Sequence, residues 1–430
     1  MTRVAYVCAD PGIPVFGTKG ASVHIQEIVR AWRDRGADVE VYAVRLGDPE
    51  HVPADLADLV VHHVPVGRIG SGSGSGSDDA GAAARREVAQ RQACAEIARR
   101  VVAAAPDVVY ERYSLFSTVL HAARRGLGEG VRAVLEVNAP LIDEQREHRV
   151  LVDEVGAEGA LRAQVAAADV VACVSGRVAE WVHERVGLDE GPCAAPGEVA
   201  HGGAGLVGQA SVLVVPNGVN TDRIQAVTPD LDGDPVVVFV GTLKPWHGVE
   251  DLVRSAALAQ RPWRLRIVGD GPQRASVEQA AAEHGLTVEL TGAVAPEQIP
   301  AALEGALVAV APYPESGDHY FSPLKVYEYG AAALPVVASR IGQIPAVVED
   351  GRTGLLVPPS DPPALAAAID SLVADPDAAR RMGAAARRLM EREHSWGHVL
   401  AATLAPIPVA TRISATTPTT RPAVPVAGVR

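Results

Sequence analysis

Lys325 and Glu328 lie three residues apart within SPLKVYEYG, and on a helix that spacing sets an ammonium and a carboxylate on one face. An ammonium there meets phosphate oxygens, while a carboxylate accepts two hydrogen bonds from a diol such as a ribose. The pair therefore suits a nucleotide. It equally suits a solvated surface ion pair worth about 0.2–0.5 kcal/mol, and the residue types alone leave both open. A loop carrying Pro312, Pro314, Ser316 and Gly317 precedes Ser322-Pro323, which predicts a helix start with Ser322 as N-cap and Pro323 in the first position. The free N–H groups and positive dipole end of such a helix attract phosphate as well.

Other loops carry candidate chemistry. In PVVVFVGTLKPWHG a strand runs into a glycine loop that presents Gly241, Thr242 and Lys244. Near the start, VAYVCAD is a strand feeding PGIPVFGTKGAS, where Gly17 and Gly20 precede a helix with Ile25, Ile28, Val29 and Trp32 on its apolar face. A glycine loop at a helix start admits a phosphate or a sugar closely, but glycines also serve ordinary turns, and this is neither the P-loop nor the dinucleotide fingerprint. Gly269 and Gly271 lack the third glycine of that fingerprint. The strands DVVYERYS and VRAVLEVNAP end at Arg112-Tyr113 and at Asn138, on the edge where α/β sheets bind ligands. Loop polarity explains those three residues equally well. Asp232-Gly233-Asp234 precedes its strand and offers too few carboxylates to hold Mg²⁺, so it reads as a surface turn.

Positioning these groups takes alternating strands and helices, and 430 residues with 48% hydrophobic content allow two domains with sizeable cores. The periodicity predicts strands over VEVYAV and Leu59–Val66, a helix from about Ala82 to Ala104, and ADVVACVSGRVAEWV as a strand and a helix capped by Ser175. ALVAVAPY and VVAS read as buried parallel strands on either side of the Lys325 helix. The net charge of −13, with no basic patch, disfavours nucleic acid and anionic membrane surfaces. MTRVAYVCAD lacks the features of a signal peptide, and no uncharged apolar run reaches the roughly 18 residues of a membrane span. Cys8, Cys94, Cys173 and Cys193 have no metal-ligand spacing and read as reduced thiols of a cytoplasmic protein. SGSGSGS and the Gly187–Gln209 stretch read as loop insertions, and the aperiodic end of the chain as disordered.

SPLKVYEYGAAALPVVAS resembles the donor-site segment of retaining GT-B glycosyltransferases, specifically glycosyltransferase family 4, and VLVVPNGVNTDRI resembles that family's passage into its C-terminal domain. The resemblance implies an α/β protein of two Rossmann-like, doubly wound domains facing across a cleft. Residues 1–213 would form the acceptor side and 214–390 the nucleotide-sugar side; residues 391–405 would cross back as a helix, followed by a tail over 406–430. The family carries two glutamates eight positions apart. Glu328 matches the second, which grips the ribose, and Tyr320 stands where the first would be. Thr242 and His247 occupy the family's Arg and Lys positions on the diphosphate, and that role passes to Lys244 between them. The implied catalytic set is Lys244, Lys325 and Glu328, with Gly17, Gly241, Thr242, Val294, Tyr320, Ser322, Pro323 and Leu324 around the donor. Gly20, His24, Arg112, Tyr113 and Asn138 fall on the acceptor side.

The implied activity is a retaining, metal-independent transfer of a sugar from a nucleoside-diphosphate sugar to an acceptor hydroxyl, on a natural product or on a lipid-linked or cell-surface glycan. No cofactor is expected, and membrane contact is at most peripheral. Two alternatives share the architecture: a nucleotide-sugar 2-epimerase, and a non-catalytic nucleotide-sugar-binding partner of a transferase.

Overall fold

The computed structural model describes residues 1–67, 79–187, 210–315 and 319–406. The SGSGSGS segment, nearly all of the Gly187–Gln209 stretch, Ser316, Gly317 and the tail from 407 lie outside the described residues. The apolar runs form two parallel sheets. The first comprises β1 (Arg3–Cys8), β2 (Asp38–Ala43), β3 (Val60–His63), β4 (Val108–Arg112), β5 (Arg132–Val137), β6 (Val170–Cys173) and β7 (Ser211–Val214). The second comprises β8 (Val236–Val240), β9 (Arg264–Val268), β10 (Val288–Gly292), β11 (Ala306–Ala311), β12 (Val336–Ser339) and β13 (Gly354–Val357).

The strand orders are β3-β2-β1-β4-β5-β6-β7 and β10-β9-β8-β11-β12-β13. Each reverses direction at its first strand, so a crevice opens beyond the carboxyl ends of β1 and β4 in one sheet and of β8 and β11 in the other. The expected two doubly wound domains are present. Their central strands are buried on both faces, as β4, β8, β11 and β12 show along their whole lengths, which is why β8, β11 and β12 read as Val- and Ala-rich runs. The Gly20–Asp34 helix buries Ile25, Ile28, Val29 and Trp32 as expected, and Ser175 caps its helix by accepting from the Val178 N–H at 3.1 Å. Asp232-Gly233-Asp234 is a turn with Gly233 at φ +105°. Among the described residues no helix is long and apolar enough to cross a membrane.

The return crossing differs from the expectation of one helix over residues 391–405. The Pro376–Glu393 helix stops, and a second helix, Trp396–Leu404, starts from Ser395, whose Oγ accepts from the His398 N–H at 3.2 Å. The break lets Trp396, Val399 and Leu400 turn into the first domain's core beside Ile28 and Val29.

Candidate functional site

The helix expected from Ser322 begins one residue later and runs over Leu324–Ala331, with Pro323 as a cap that offers no side-chain bond. This corrects the assignment of Ser322 as N-cap. Its buried hydroxyl instead accepts from the Asn217 N–H at 3.2 Å and lies 3.0 Å from the Tyr327 hydroxyl. Asn217 Nδ2 donates to the Ser322 carbonyl at 2.9 Å, so the chain passing between the domains uses the serine that would otherwise close the helix end.

Lys325 is 9% exposed. Its Nζ lies 4.2 Å from the Phe239 ring centroid and 5.3 Å from that of Tyr313, and has no hydrogen-bond partner among the described residues. Burial pushes its pKa down to about 7, against a smaller opposing pull from Glu328. A Cβ on Gly241 would stand 2.7 Å from this Nζ, and Gly241 holds φ +152°. The glycine at the end of β8 thus makes room for the amine. A solvated Lys325–Glu328 pair is not what forms: the lysine is enclosed, and Glu328 pairs with Arg223 at 3.3 Å. Burial raises the Glu328 carboxyl, and Arg223 works against that rise.

Beside Lys325, the Thr242 carbonyl accepts from His247 Nδ1. Burial first, and Lys325 next, push the His247 pKa down to about 4, so this imidazole is neutral at pH 7. Lys244 is half-buried with its Nζ 5.0 Å from the Trp246 ring. Neither lysine joins an ion pair among the described residues, so both are available to an anionic ligand at the glycine loop. Val294 packs beside the second domain's core, and two residues on the Pro296 carbonyl accepts from Arg223 Nη1 at 3.0 Å. Arg223 was not singled out by the sequence. It sits in NGVNTDRI, where Asn-Gly signals only a turn, and its partners are distant in the chain.

Several candidates meet across the cleft. The Tyr320 hydroxyl donates to Glu144 of the first domain. Leu324 packs against the first domain's core, and a Cβ on Gly20 would meet its Cδ1 at 3.0 Å. Gly17 is tight for a local reason, since a Cβ there would meet Ser22 Oγ at 2.6 Å and Pro14 Cγ at 2.7 Å. The acceptor-side candidates differ in exposure. His24, Arg112 and Tyr113 are 3%, 7% and 3% exposed, so all three are buried. His24 contacts Glu136 through Nε2 and Asn217 Oδ1 through Nδ1 at 2.9 Å, while Arg112 stands 3.8 Å from the other Glu136 oxygen. Burial alone would raise the Glu136 carboxyl, but His24, Arg112 and Asn138 outweigh it and hold it low. Asn138 is half-buried and is the one member of that trio of strand-end residues left partly open. Among the described residues no three His, Cys, Asp or Glu side chains are grouped to hold a metal ion.

The family described as Glycosyltransferase Family 4 matches residues 18–195, and that described as Glycosyl transferases group 1 matches residues 234–375. The chain is 34% identical over 220 residues to an alpha-maltose-1-phosphate synthase of Mycolicibacterium smegmatis, covering 45% of this chain and 55% of that protein. It is 33% identical over 172 residues to an alpha-D-kanosaminyltransferase of Streptomyces kanamyceticus, covering 38% and 43%. The match thus spans about half the length of these relatives. In fold it is similar to Anabaena HepE solved with UDP and glucose (TM-score 0.64, 17% identity, 94% of this chain and 100% of that one). It is likewise similar to a sucrose-phosphate synthase from Thermosynechococcus elongatus (TM-score 0.61, 19% identity, 93% and 96%).

Proposed function

Because the chain belongs to glycosyltransferase family 4 and has the GT-B fold, we propose that it moves a sugar from a nucleoside-diphosphate sugar to an acceptor hydroxyl, with retention and without a metal ion. The observation that carries this is the buried Lys325 amine, unpartnered and facing Gly241, with Glu328 one turn further along the same helix. A diphosphate at the glycine loop would restore the charge that burial removes from Lys325, and Lys244 adds a second cation. Glu328 would accept from the ribose hydroxyls. HepE, of the same fold, was solved with UDP and glucose, which supports a nucleotide-sugar donor here.

In the reaction, the bond from the anomeric carbon to the diphosphate oxygen breaks, and the diphosphate leaves with the electron pair. The acceptor oxygen bonds the same carbon from the vacated face, and its proton passes to a diphosphate oxygen. Charge grows on the leaving group in the transition state, so cations at the glycine loop accelerate the step more than they strengthen ground-state binding. Two buried free thiols, Cys8 and Cys94, fit a reducing cytoplasm, with any membrane contact peripheral.

Tyr320, where a glutamate would face the sugar, is tied to Glu144, and this favours a second reading of nucleotide-sugar binding without turnover. A thermal-shift screen of UDP-, GDP-, ADP- and dTDP-glucose, followed by turnover on a panel of hydroxyl acceptors, separates the two. Ligand at about 100 times its Kd adds about 2.7 kcal/mol. The transferase reading expects product with the donor's anomeric configuration by proton NMR, formed in EDTA as fast as without it. Inverted product, or turnover lost in EDTA and restored by Mg²⁺, would reject those parts of it.

A further inference from the structure

Arg223 lies in the passage between the domains and touches three elements at once. Its Nη2 is 3.3 Å from Glu328 Oε1, its Nη1 donates to the Pro296 carbonyl at 3.0 Å, and its Nε is 3.6 Å from Glu27 Oε1. Glu328 belongs to the donor helix, Pro296 to the short helical turn Pro296–Gln298 just past Val294, and Glu27 to the Gly20–Asp34 helix of the first domain. Glu27 is itself fixed, buried to 1% and accepting from Asn220 Nδ2 at 3.1 Å and from Arg30 Nη1 at 3.0 Å. Asn220 Oδ1 also accepts from the Arg223 N–H at 2.9 Å, so the turn that carries the arginine is tied to the same carboxylate.

We infer that Arg223 is a positioning residue for the nucleoside half of the donor, holding the Glu328 carboxylate and the Pro296 turn just past Val294 in one frame anchored on Glu27. This rests on the reading of Glu328 as the ribose acceptor. A guanidinium presents several N–H groups in one rigid plane, so it donates to two acceptors, Glu328 and the Pro296 carbonyl, while its charge pairs with Glu27 in a third direction. A lysine in its place keeps the charge and loses the frame. The arginine also works against the rise that burial imposes on Glu328, favouring the ionised carboxylate that accepts from hydroxyls.

The test measures Kd by calorimetry for UDP, GDP or ADP, whichever stabilises the wild type most, and for its 2′,3′-dideoxy analogue. The wild type is expected to bind the ribonucleotide at least about tenfold more tightly, the scale of charge-assisted hydrogen bonds. In Arg223→Lys that preference should fall towards one, with the ribonucleotide weakened and the dideoxynucleotide nearly unchanged, while donor KM rises more than kcat falls. Glu27→Gln, which leaves every donor-side residue in place, should reduce the preference in the same direction; it supplies the measurement if melting curves show that Arg223→Lys is not folded. A wild-type preference that persists in the folded variants overturns the role of Arg223. Wild-type protein that binds without preferring ribose overturns the reading of Glu328 as the ribose acceptor, and protein that binds none of the three nucleotides overturns the nucleotide reading itself.

Discussion

At the scale of single residues, Lys325 makes the sharpest prediction. Its folded pKa of about 7 lies below the ordinary lysine value of 10.5, so the unfolded chain binds more protons between these two pH values. Stability therefore rises with pH across that window, and the burial penalty is fully present below about pH 7. Lys325→Met removes the amine and keeps the bulk. It is expected to raise Tm at pH 6, and the gain should shrink as pH approaches 10; a gain that does not depend on pH would place the amine in water. The same variant should lose most nucleotide-induced stabilisation and lower kcat more than it raises donor KM. Glu328→Gln is expected to weaken donor binding by about 1.5–3 kcal/mol with little change in Tm. Both residues were legible in the sequence because a helical spacing of three is a local signal. That Lys325 is enclosed was not, since Phe239, Tyr313 and Gly241 reach it from other elements.

At the scale of elements, two glycines on the cleft separate a conformational requirement from simple proximity. Gly241 holds φ +152°, and a Cβ there would meet Lys325 Nζ at 2.7 Å. Gly241→Ala is expected to cost about 1–3 kcal/mol and to displace the amine, weakening nucleotide binding more than stability. Gly20 opens a helix, and a Cβ there would meet only the Leu324 Cδ1 at 3.0 Å, the end of a flexible side chain. Gly20→Ala should change stability by about 1 kcal/mol or less in either direction, because alanine's helix propensity offsets the contact. Denaturant melts of both variants, with and without nucleotide, check this contrast. The strands and the Lys325 helix were legible from Val-rich runs and turn residues, and the helix start was placed to within one residue. Ser322 was misassigned because its partner Asn217 is 105 positions away, and a capping rule weighs only the local alternatives.

At the scale of the whole molecule, the two domains are held by contacts that no local pattern announces. His24 meets Asn217 and Glu27 meets Asn220, each pair 193 residues apart in sequence, and Tyr320 reaches Glu144 across 176. The return crossing ends on Trp396, which is 5% exposed, sits in the first domain's core and sets its ring edge-on to His24 at 4.8 Å. Trp396→Ala would remove the largest apolar contact of that crossing, at about 3–5 kcal/mol. The cost falls on the first domain, because Trp396 belongs to the core cluster of the first domain with Ile28, Val29 and Leu400 and not to that of the second. The His24 bond to Asn217 would loosen with it, which weakens the coupling of the two halves. Calorimetry is therefore expected to resolve two transitions in this variant, the lower one from the first domain. Nucleotide should raise mainly the upper one, since Lys325, Lys244 and Glu328 all belong to the second domain. A single transition, shifted by nucleotide as in the wild type, would mean that the domains stay coupled without Trp396, through the Glu27–Arg223–Glu328 chain and the Tyr320–Glu144 bond.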